Sequence, residues 1–225
     1  MIVQEPPYDL VALFSDLEMQ KLFEVLLERG QTPGRSCTRG FRWRSLRDPR
    51  RDTVWNQPER PLAPFLRMDC RFLIVWDRQG SGFEDGPPSK MEEGVLMSLQ
   101  SAGVHRDRVL AVALEPELEC LFRPVWTKVK STVAAERGGE PPADPRILEE
   151  AERSSPRIRW PRDLGEALEE YPKEVFEALV RLVRLRRAPP LYARIAERVS
   201  LPVLKKESAA QRIAARIASW FPPVS

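Results

Sequence analysis

The sequence predicts an α/β protein with a parallel sheet, helices on both faces of that sheet, and a C-terminal helical region. The run Phe72–Trp76 contains five strand-forming residues without polar alternation, as expected for a strand buried on both faces. Strand-like and helix-like segments alternate up to about residue 133, which favours parallel strands joined by right-handed crossovers. After Pro145 the apolar pattern has only helical spacing.

The first predicted unit is a strand followed by a helix. Residues Asp9–Phe14 form an apolar run, and Ser15 is a candidate N-cap because Ser15 and Glu18 have the Ser-x-x-Glu spacing of a capping box. Apolar residues then recur at helical spacing as far as Leu26, and Gly30 is expected to end the helix.

A segment rich in arginine and proline follows, from residue 31 to residue 66. Its only predicted regular element is a short strand at Gly40–Arg44. A connection of this length without regular structure is uncommon in a compact domain, so we interpret it as functional or as a partner-contacting surface.

The rest of the predicted α/β core continues the alternation. A strand ends at Asp77, a helix covers Lys90–Ala102, and a second apolar run predicts a strand at Val109–Leu114. A helix is expected from Pro116, because proline suits the first helical position. These elements give a core spanning residues 8–133.

The remainder of the chain is predicted to be a linker and then a helical region. Glycine and proline cluster at residues 138–145, so residues 134–162 are assigned to a linker. Helical periodicity in residues 163–225 predicts four helices: Asp163–Tyr171, Pro172–Arg187, Leu191–Val199 and Ser208–Phe221.

Composition narrows the class of protein. The chain has 225 residues and a net charge of +3. No run approaches the roughly 18 apolar residues of a membrane span, and the N-terminus lacks the pattern of a signal peptide. The cysteines, Cys37, Cys70 and Cys120, are too widely spaced to indicate a disulfide framework or a zinc site. We therefore expect a cytoplasmic protein without membrane association.

The charge is unevenly distributed along the chain. Residues 35–71 contain ten arginines and four acids, residues 181–225 contain ten basic residues and two acids, and the middle is acidic. Two basic flanks around an acidic centre suit a polyanion, although a solvated arginine-rich surface gives the same pattern. The candidate nucleic-acid-binding residues are Arg42, Arg44, Arg50, Arg51 and Lys173, the last of which can equally be a solvated helix end.

The tryptophans are a second candidate nucleic-acid signal, since indole rings stack on bases. Trp76, Trp126 and Trp220 lie on apolar faces of predicted elements. We expect these three in the core, which leaves Trp43, Trp55 and Trp160 as candidates for stacking.

Acidic residues follow two of the predicted strands. Asp77 ends one strand, and Glu117 and Glu119 follow the next. The carboxyl ends of parallel strands meet at one edge of a sheet, and Mg²⁺ prefers one or two carboxylates plus water. This predicts a site for Mg²⁺ or Mn²⁺ on Asp77 with Glu117 or Glu119 as second ligand. The alternatives are that Asp77 caps a turn and that the glutamates complement a helix dipole.

A third acidic position follows the first strand. Glu18 or Asp16 can reach the same edge, or each can serve only as a helix cap. Other chemistries have little support. The single histidine, His105, disfavours a histidine-based triad, and Gly80-Ser81-Gly82 matches neither a dinucleotide nor a Walker motif.

Together these motifs resemble those of Toprim-type domains, the metal-binding domains of topoisomerases and primases. In that family a glutamate follows the first strand and an Asp-x-Asp pair follows a later one. Here Asp16 or Glu18 takes the first place and Asp77-Arg78-Gln79 the second. The chain is also similar to uncharacterised Toprim-like bacterial proteins of anti-phage defence loci, including methylation-associated systems. The shared residues are Asp16-Leu17-Glu18, Asp77-Arg78-Gln79-Gly80-Ser81-Gly82, Pro116-Glu117-Leu118-Glu119, Pro172-Lys173-Glu174, Leu191-Tyr192 and Trp220-Phe221-Pro222.

The resemblance implies metal-dependent nucleic-acid processing, most simply phosphodiester cleavage, with other defence proteins as partners. Asp77 and Glu117 are then the metal ligands, with Glu18 and Glu119 as further catalytic residues. The chain departs from the family at Gln79, which stands where a second carboxylate is expected. This departure favours an alternative, in which the chain is a non-catalytic subunit that binds a partner protein or nucleic acid.

Overall fold

A computed structural model describes residues 7–31, 40–48, 50, 52–82 and 84–222. Within these residues the strands form one sheet in which every pairing is parallel. The sheet order is β2-β1-β3-β4, with β1 at Leu10–Phe14, β2 at Trp43–Arg47, β3 at Arg71–Asp77 and β4 at Val109–Leu114. The predicted α/β class with a parallel sheet is confirmed.

The sheet is buried on both faces, as its uniformly apolar strands predict. Along β1, Leu10, Ala12 and Phe14 belong to one hydrophobic core, whereas Val11 and Leu13 belong to the other. Successive side chains of a strand point to opposite faces. A strand between two helical layers therefore has no solvent-facing side that would require polar residues.

The first helix and the fourth cover opposite faces of the sheet. Helix α1 (Leu17–Gly30) packs Met19 and Leu22 into the core that contains Leu10. The other core contains Val95 and Leu99 of helix α4 (Pro88–Ser101). The short helices α2 (Thr53–Asn56) and α3 (Glu59–Leu62) contribute to the same core.

This arrangement creates a topological switch point. Strands β1 and β3 are neighbours, but the chain leaves them toward opposite faces through α1 and α4. In open α/β sheets such a divergence opens a crevice at the carboxyl ends of the two strands.

The C-terminal helices extend the core on the α1 face. Helix α9 packs against α1, and the rings of Phe122, Phe176 and Tyr192 lie with centroids 5.1 to 5.8 Å apart. The helices are α5 (Trp126–Ala135), α6 (Asp144–Ser154), α7 (Leu164–Glu170), α8 (Pro172–Leu182), α9 (Pro189–Arg198), α10 (Leu201–Leu204) and α11 (Ser208–Trp220). In the described ranges, no helix combines the length and apolarity needed to cross a membrane.

The N-cap of α1 differs from the prediction. Asp16, not Ser15, caps the helix: its Oδ1 accepts a hydrogen bond from the Met19 amide at 2.7 Å. Aspartate caps a helix as well as serine does, so the capping spacing alone did not distinguish these neighbours. Because the cap lies one residue later, Glu18 does not occupy the return position of a capping box.

Other elements also differ from the prediction. The short strand predicted at Gly40–Arg44 lies at Trp43–Arg47, and α2 and α3 follow it in the segment expected to lack regular structure. A 3-10 segment, Leu118–Val125, precedes α5 where a helix from Pro116 was expected. Pro124 within it cannot donate a backbone hydrogen bond. The predicted linker contains α6, which packs on α8 with Ile147 and Ala151 buried.

A half-buried ion pair between Glu92 and Arg212 lies at the β4 edge of the sheet. Strand β4 is an edge strand, and the Glu92 carboxylate on α4 accepts a hydrogen bond from the Ala113 amide at 3.1 Å. The same carboxylate holds Arg212 of α11 through two hydrogen bonds of 3.0 and 2.7 Å. Glu92 thus accepts the hydrogen bond of an amide that an exposed edge strand would otherwise offer to another strand.

We expect Glu92→Ala to lower the free energy of unfolding by about 2 kcal/mol, because it leaves a strand amide and an arginine without their charged acceptor. Urea denaturation measures this change. The control is Glu93→Ala, which removes the neighbouring exposed ion pair to Arg106 and should change stability by less than about 1 kcal/mol. Equal effects of the two substitutions would contradict the role assigned to Glu92.

Candidate functional site

A cleft of about 410 Å³ lies at the carboxyl ends of the central strands, at the switch point. Segments that follow β1, β3 and β4 meet there with α2, the first turn of α8 and the segment after α8. Its lining residues are Ser15, Asp16, Glu18, Trp55, Asp77, Gln79, Gly80, Glu117, Lys173 and Arg187.

Asp77 is the last residue of β3 and lies at the centre of this edge. The loop after it is held to the segment after β4, because the amides of Arg78 and Gln79 donate to the carbonyls of Leu114 and Pro116 at 3.0 and 2.9 Å. Within the described part of the chain, the buried Oδ1 of Asp77 has no hydrogen-bond partner. Burial raises the pKa of Asp77 well above its usual range, and neighbouring acids, foremost Glu119, raise it further.

Glu117 lines the cleft from the segment after β4. It is 2% exposed, and its Oε2 lies 3.1 Å from the Nζ of Lys173 on α8. Its Oε1 is buried without a hydrogen-bond partner among the described residues. Burial and the charge of Glu119 raise the pKa of Glu117 to about 7, while Lys173 opposes this shift.

Glu119 lies behind the cleft and does not line it. The side chain is fully buried, and its Oε1 accepts a hydrogen bond from the Tyr192 hydroxyl and lies 3.3 Å from Nη2 of Arg187. Burial raises the pKa of Glu119, and Arg187 and Tyr192 oppose the increase. Glu119 therefore anchors Arg187 at the wall of the cleft.

A reversal of the chain after α8 delivers Arg187. Arg184 adopts a φ of 54°, in the left-handed region, and the Leu185 amide donates to the Val180 carbonyl at 3.0 Å. The prediction of a helix continuing to Arg187 was therefore wrong by about one turn. The turn brings Arg187 within reach of Glu119, a contact for which the sequence carries no local signal.

The loop after Asp77 is held in a defined conformation. Gly80 and Gly82 both have a φ of 79°, which glycine adopts without the steric cost of a side chain. The Glu84 carboxylate accepts hydrogen bonds from their amides at 2.7 and 3.3 Å. Gln79, in the position where a second carboxylate is expected, lines the cleft on this loop.

The cleft offers carboxylate oxygens to a divalent cation. In the residues that the structure describes, no three histidine, cysteine or acidic side chains form a metal-binding group. Mg²⁺ nevertheless binds through one or two carboxylates and keeps several waters. Asp77 and Glu117 fit this mode, since both line the cleft and each has a carboxylate oxygen that no hydrogen-bond donor of the described residues reaches.

The other predicted site residues divide between the cleft and distant surfaces. Glu18 and Lys173 line the cleft. Arg42 and Arg44 do not, because they lie near the amino end of β2, at the opposite edge of the sheet. There Arg42 pairs with Asp9 at 3.3 Å and Arg44 donates to the Tyr8 hydroxyl at 3.1 Å. Arg50 is exposed, and Arg51 lies outside the described residues.

No protein-family model, curated protein or solved structure matches the chain. The interpretation of the cleft therefore depends on its own residues and on the motifs of the sequence.

The raised pKa of Glu117 predicts a specific pH dependence of stability. Its pKa is about 7 in the folded state, against an ordinary value of 4.5, so the folded state binds more protons between these pH values. Stability should fall as pH rises through this window and level off above it. The free energy of unfolding should decrease by about 3 kcal/mol across this window, since one pKa unit corresponds to about 1.4 kcal/mol.

Thermal unfolding of the wild type and Glu117→Gln between pH 4 and pH 8 measures this contribution. The difference between the two curves should change through the predicted window. Glu140→Gln, at an exposed position, is the control and should follow the wild type at every pH. A constant difference between wild type and Glu117→Gln would contradict the assignment.

Proposed function

We propose that this chain is a metal-dependent nucleic-acid-processing protein that cleaves phosphodiester bonds as part of a bacterial anti-phage defence complex. The observation that carries the proposed chemistry is the pair of carboxyl groups of Asp77 and Glu117. Both residues line the cleft at the switch point of the sheet, and each has one buried carboxylate oxygen without a hydrogen-bond partner among the described residues. The sequence resemblance to Toprim-like proteins of defence loci supports the cellular setting.

In this proposal Asp77 and Glu117 would hold Mg²⁺ or Mn²⁺. When bound, such an ion stabilises charge on the phosphoryl oxygens and lowers the pKa of water. The ligands must be deprotonated to bind a cation, and both have a raised pKa in its absence. Binding should therefore weaken as the pH falls below 7.

Two cationic side chains complete the proposed phosphodiester site. Lys173 and Arg187 line the same cleft, and each is oriented by a buried glutamate, Glu117 and Glu119 respectively. An ammonium group can neutralise a phosphate as a point charge, and a guanidinium can bind two of its oxygens at once. Glu18 is half-buried and lines the cleft, and in this proposal it would exchange a proton with water or the leaving oxygen.

The second candidate function is that of a non-catalytic interaction subunit. It is favoured by Gln79, an amide in the cleft where the Toprim pattern has a carboxylate. It is also favoured by the ion pairs that partly neutralise Glu117 and Glu119 within the protein. In this case the cleft and the arginine-rich surfaces would bind a partner without chemistry.

Asp77→Asn should lower cleavage of nucleic acid by at least about 100-fold, because it removes a charged ligand at the proposed centre. The measurement is a nuclease assay with Mg²⁺ or Mn²⁺ on single-stranded and duplex substrates. Asp69→Asn, the same change at an exposed residue before β3, is the control and should retain activity. Equal cleavage by wild type and Asp77→Asn would contradict the catalytic assignment, and no cleavage by wild type would favour the interaction subunit.

Metal binding can be tested without activity. Mn²⁺ at ten times its Kd should stabilise the wild type at pH 8 by about 1.4 kcal/mol, measured as an increase in Tm. Asp77→Asn should lose the increase and Asp69→Asn should retain it. An equal increase in all three proteins would place the ion elsewhere.

A further inference from the structure

A second groove continues from the cleft toward α4. It has a volume of about 550 Å³ and is lined in part by Trp55, Asn56, Gly82, Lys90, Met91 and Gly94. Trp55 lines both the cleft and the groove, and Gly80 and Gly82 of the same loop lie one in each. The two spaces therefore meet at the Trp55 side chain.

Gly94 lines this groove from the exposed surface of α4. It lies in the interior of α4, where glycine costs about 1 kcal/mol of helix stability relative to alanine. A Cβ at this position would have no heavy atom within 4 Å, and the φ of Gly94 is not in the left-handed range. Neither packing nor backbone conformation requires glycine here, so its effect is to keep the groove free of a side chain.

The groove has the features of a site for a flat ring attached to an anionic backbone. Trp55 and Met91 supply apolar surface next to the core under α4. The buried indole Nε1 of Trp55 lacks a hydrogen-bond acceptor within the described ranges. Lys90, in the first turn of α4, lines the groove within reach of a backbone phosphate, although Asp85, just before α4, lines it as well and offsets this charge. The volume lies within the usual range for small-ligand sites.

We propose that this groove binds the unpaired base of the nucleotide next to the phosphate held in the carboxylate cleft, so that the substrate class is single-stranded nucleic acid. The inference rests on the proposed function and specifies its substrate. A base stacks on an indole only if one face of the base is free. Both faces of a base inside a duplex are covered by neighbouring bases unless the base is flipped out.

The test is fluorescence anisotropy with a labelled 12-nucleotide single-stranded oligonucleotide and the matching duplex, in EDTA. Gly94→Leu places a side chain in the groove and should weaken single-strand binding about tenfold, whereas Gly94→Ala, the control, should bind as the wild type does. Trp55→Ala should also weaken binding about tenfold, and Trp55→Phe should restore most of it, because phenylalanine retains a stacking face. Circular dichroism verifies that each variant is folded.

Duplex binding should be weaker than single-strand binding and insensitive to Gly94→Leu. The proposal is overturned if Gly94→Leu and Trp55→Ala, both folded, bind the single strand as the wild type does. It is also overturned if the wild type prefers the duplex or binds neither probe.

The cleavage proposal and the groove proposal can be distinguished, because different measurements test them. Loss of cleavage in Asp77→Asn together with unaltered binding by the groove variants would retain the cleavage and overturn the groove. Groove-dependent binding by a wild type that cleaves no substrate would retain the groove and overturn the cleavage.

Discussion

Ionised carboxylates are expensive to bury unless a cation or hydrogen-bond donors compensate them, and this chain buries carboxyl oxygens of Asp77, Glu117 and Glu119 along one edge of its sheet. The parallel topology gathers them there, because parallel strands end at the same edge. Burial raises the pKa of all three groups, and the charge of Glu119 raises the pKa values of Asp77 and Glu117 further. The placement of the surrounding cations follows from this constraint.

The compensating groups come from the C-terminal half of the chain. Lys173 at the start of α8 reaches Glu117, and Arg187 and Tyr192 reach Glu119. The C-terminal helices thus supply charges to the site in addition to covering the α1 face of the sheet. Their packing around Phe122, Phe176 and Tyr192 positions the cations and stabilises the fold through the same contacts.

The sequence predicted β1, β3 and β4 to within one residue because their apolar signal is local, whereas the less apolar β2 was placed three residues too early. The apolar run Val109–Leu114 coincides with β4, and the strand ending at Asp77 was placed within one residue of its start. For the same reason Asp77, Glu117 and Lys173 were among the predicted site residues: they follow a strand or begin a helix, positions that motifs mark.

Long-range contacts were not predictable in this way. The pairing of Arg187 with Glu119 depends on a left-handed turn at Arg184, a residue that carries no glycine signal for such a turn. The arginine excess around Arg42 and Arg44 was visible as composition, but composition does not specify an edge of the sheet. Both residues lie at the edge away from the cleft, next to Asp9 and Tyr8.

The chain order of the site has a consequence during protein synthesis. The residues that line the cleft extend from Ser15 to Arg187, and the acidic ones precede both cations. A nascent chain that has left the ribosome only as far as Glu117 has all four acidic residues that line the cleft, but it has neither Lys173 nor Arg187. Lys173 and Arg187 can therefore pair with the buried glutamates only after α8 and the segment after it have emerged and docked. A translation product that ends earlier lacks the assembled site.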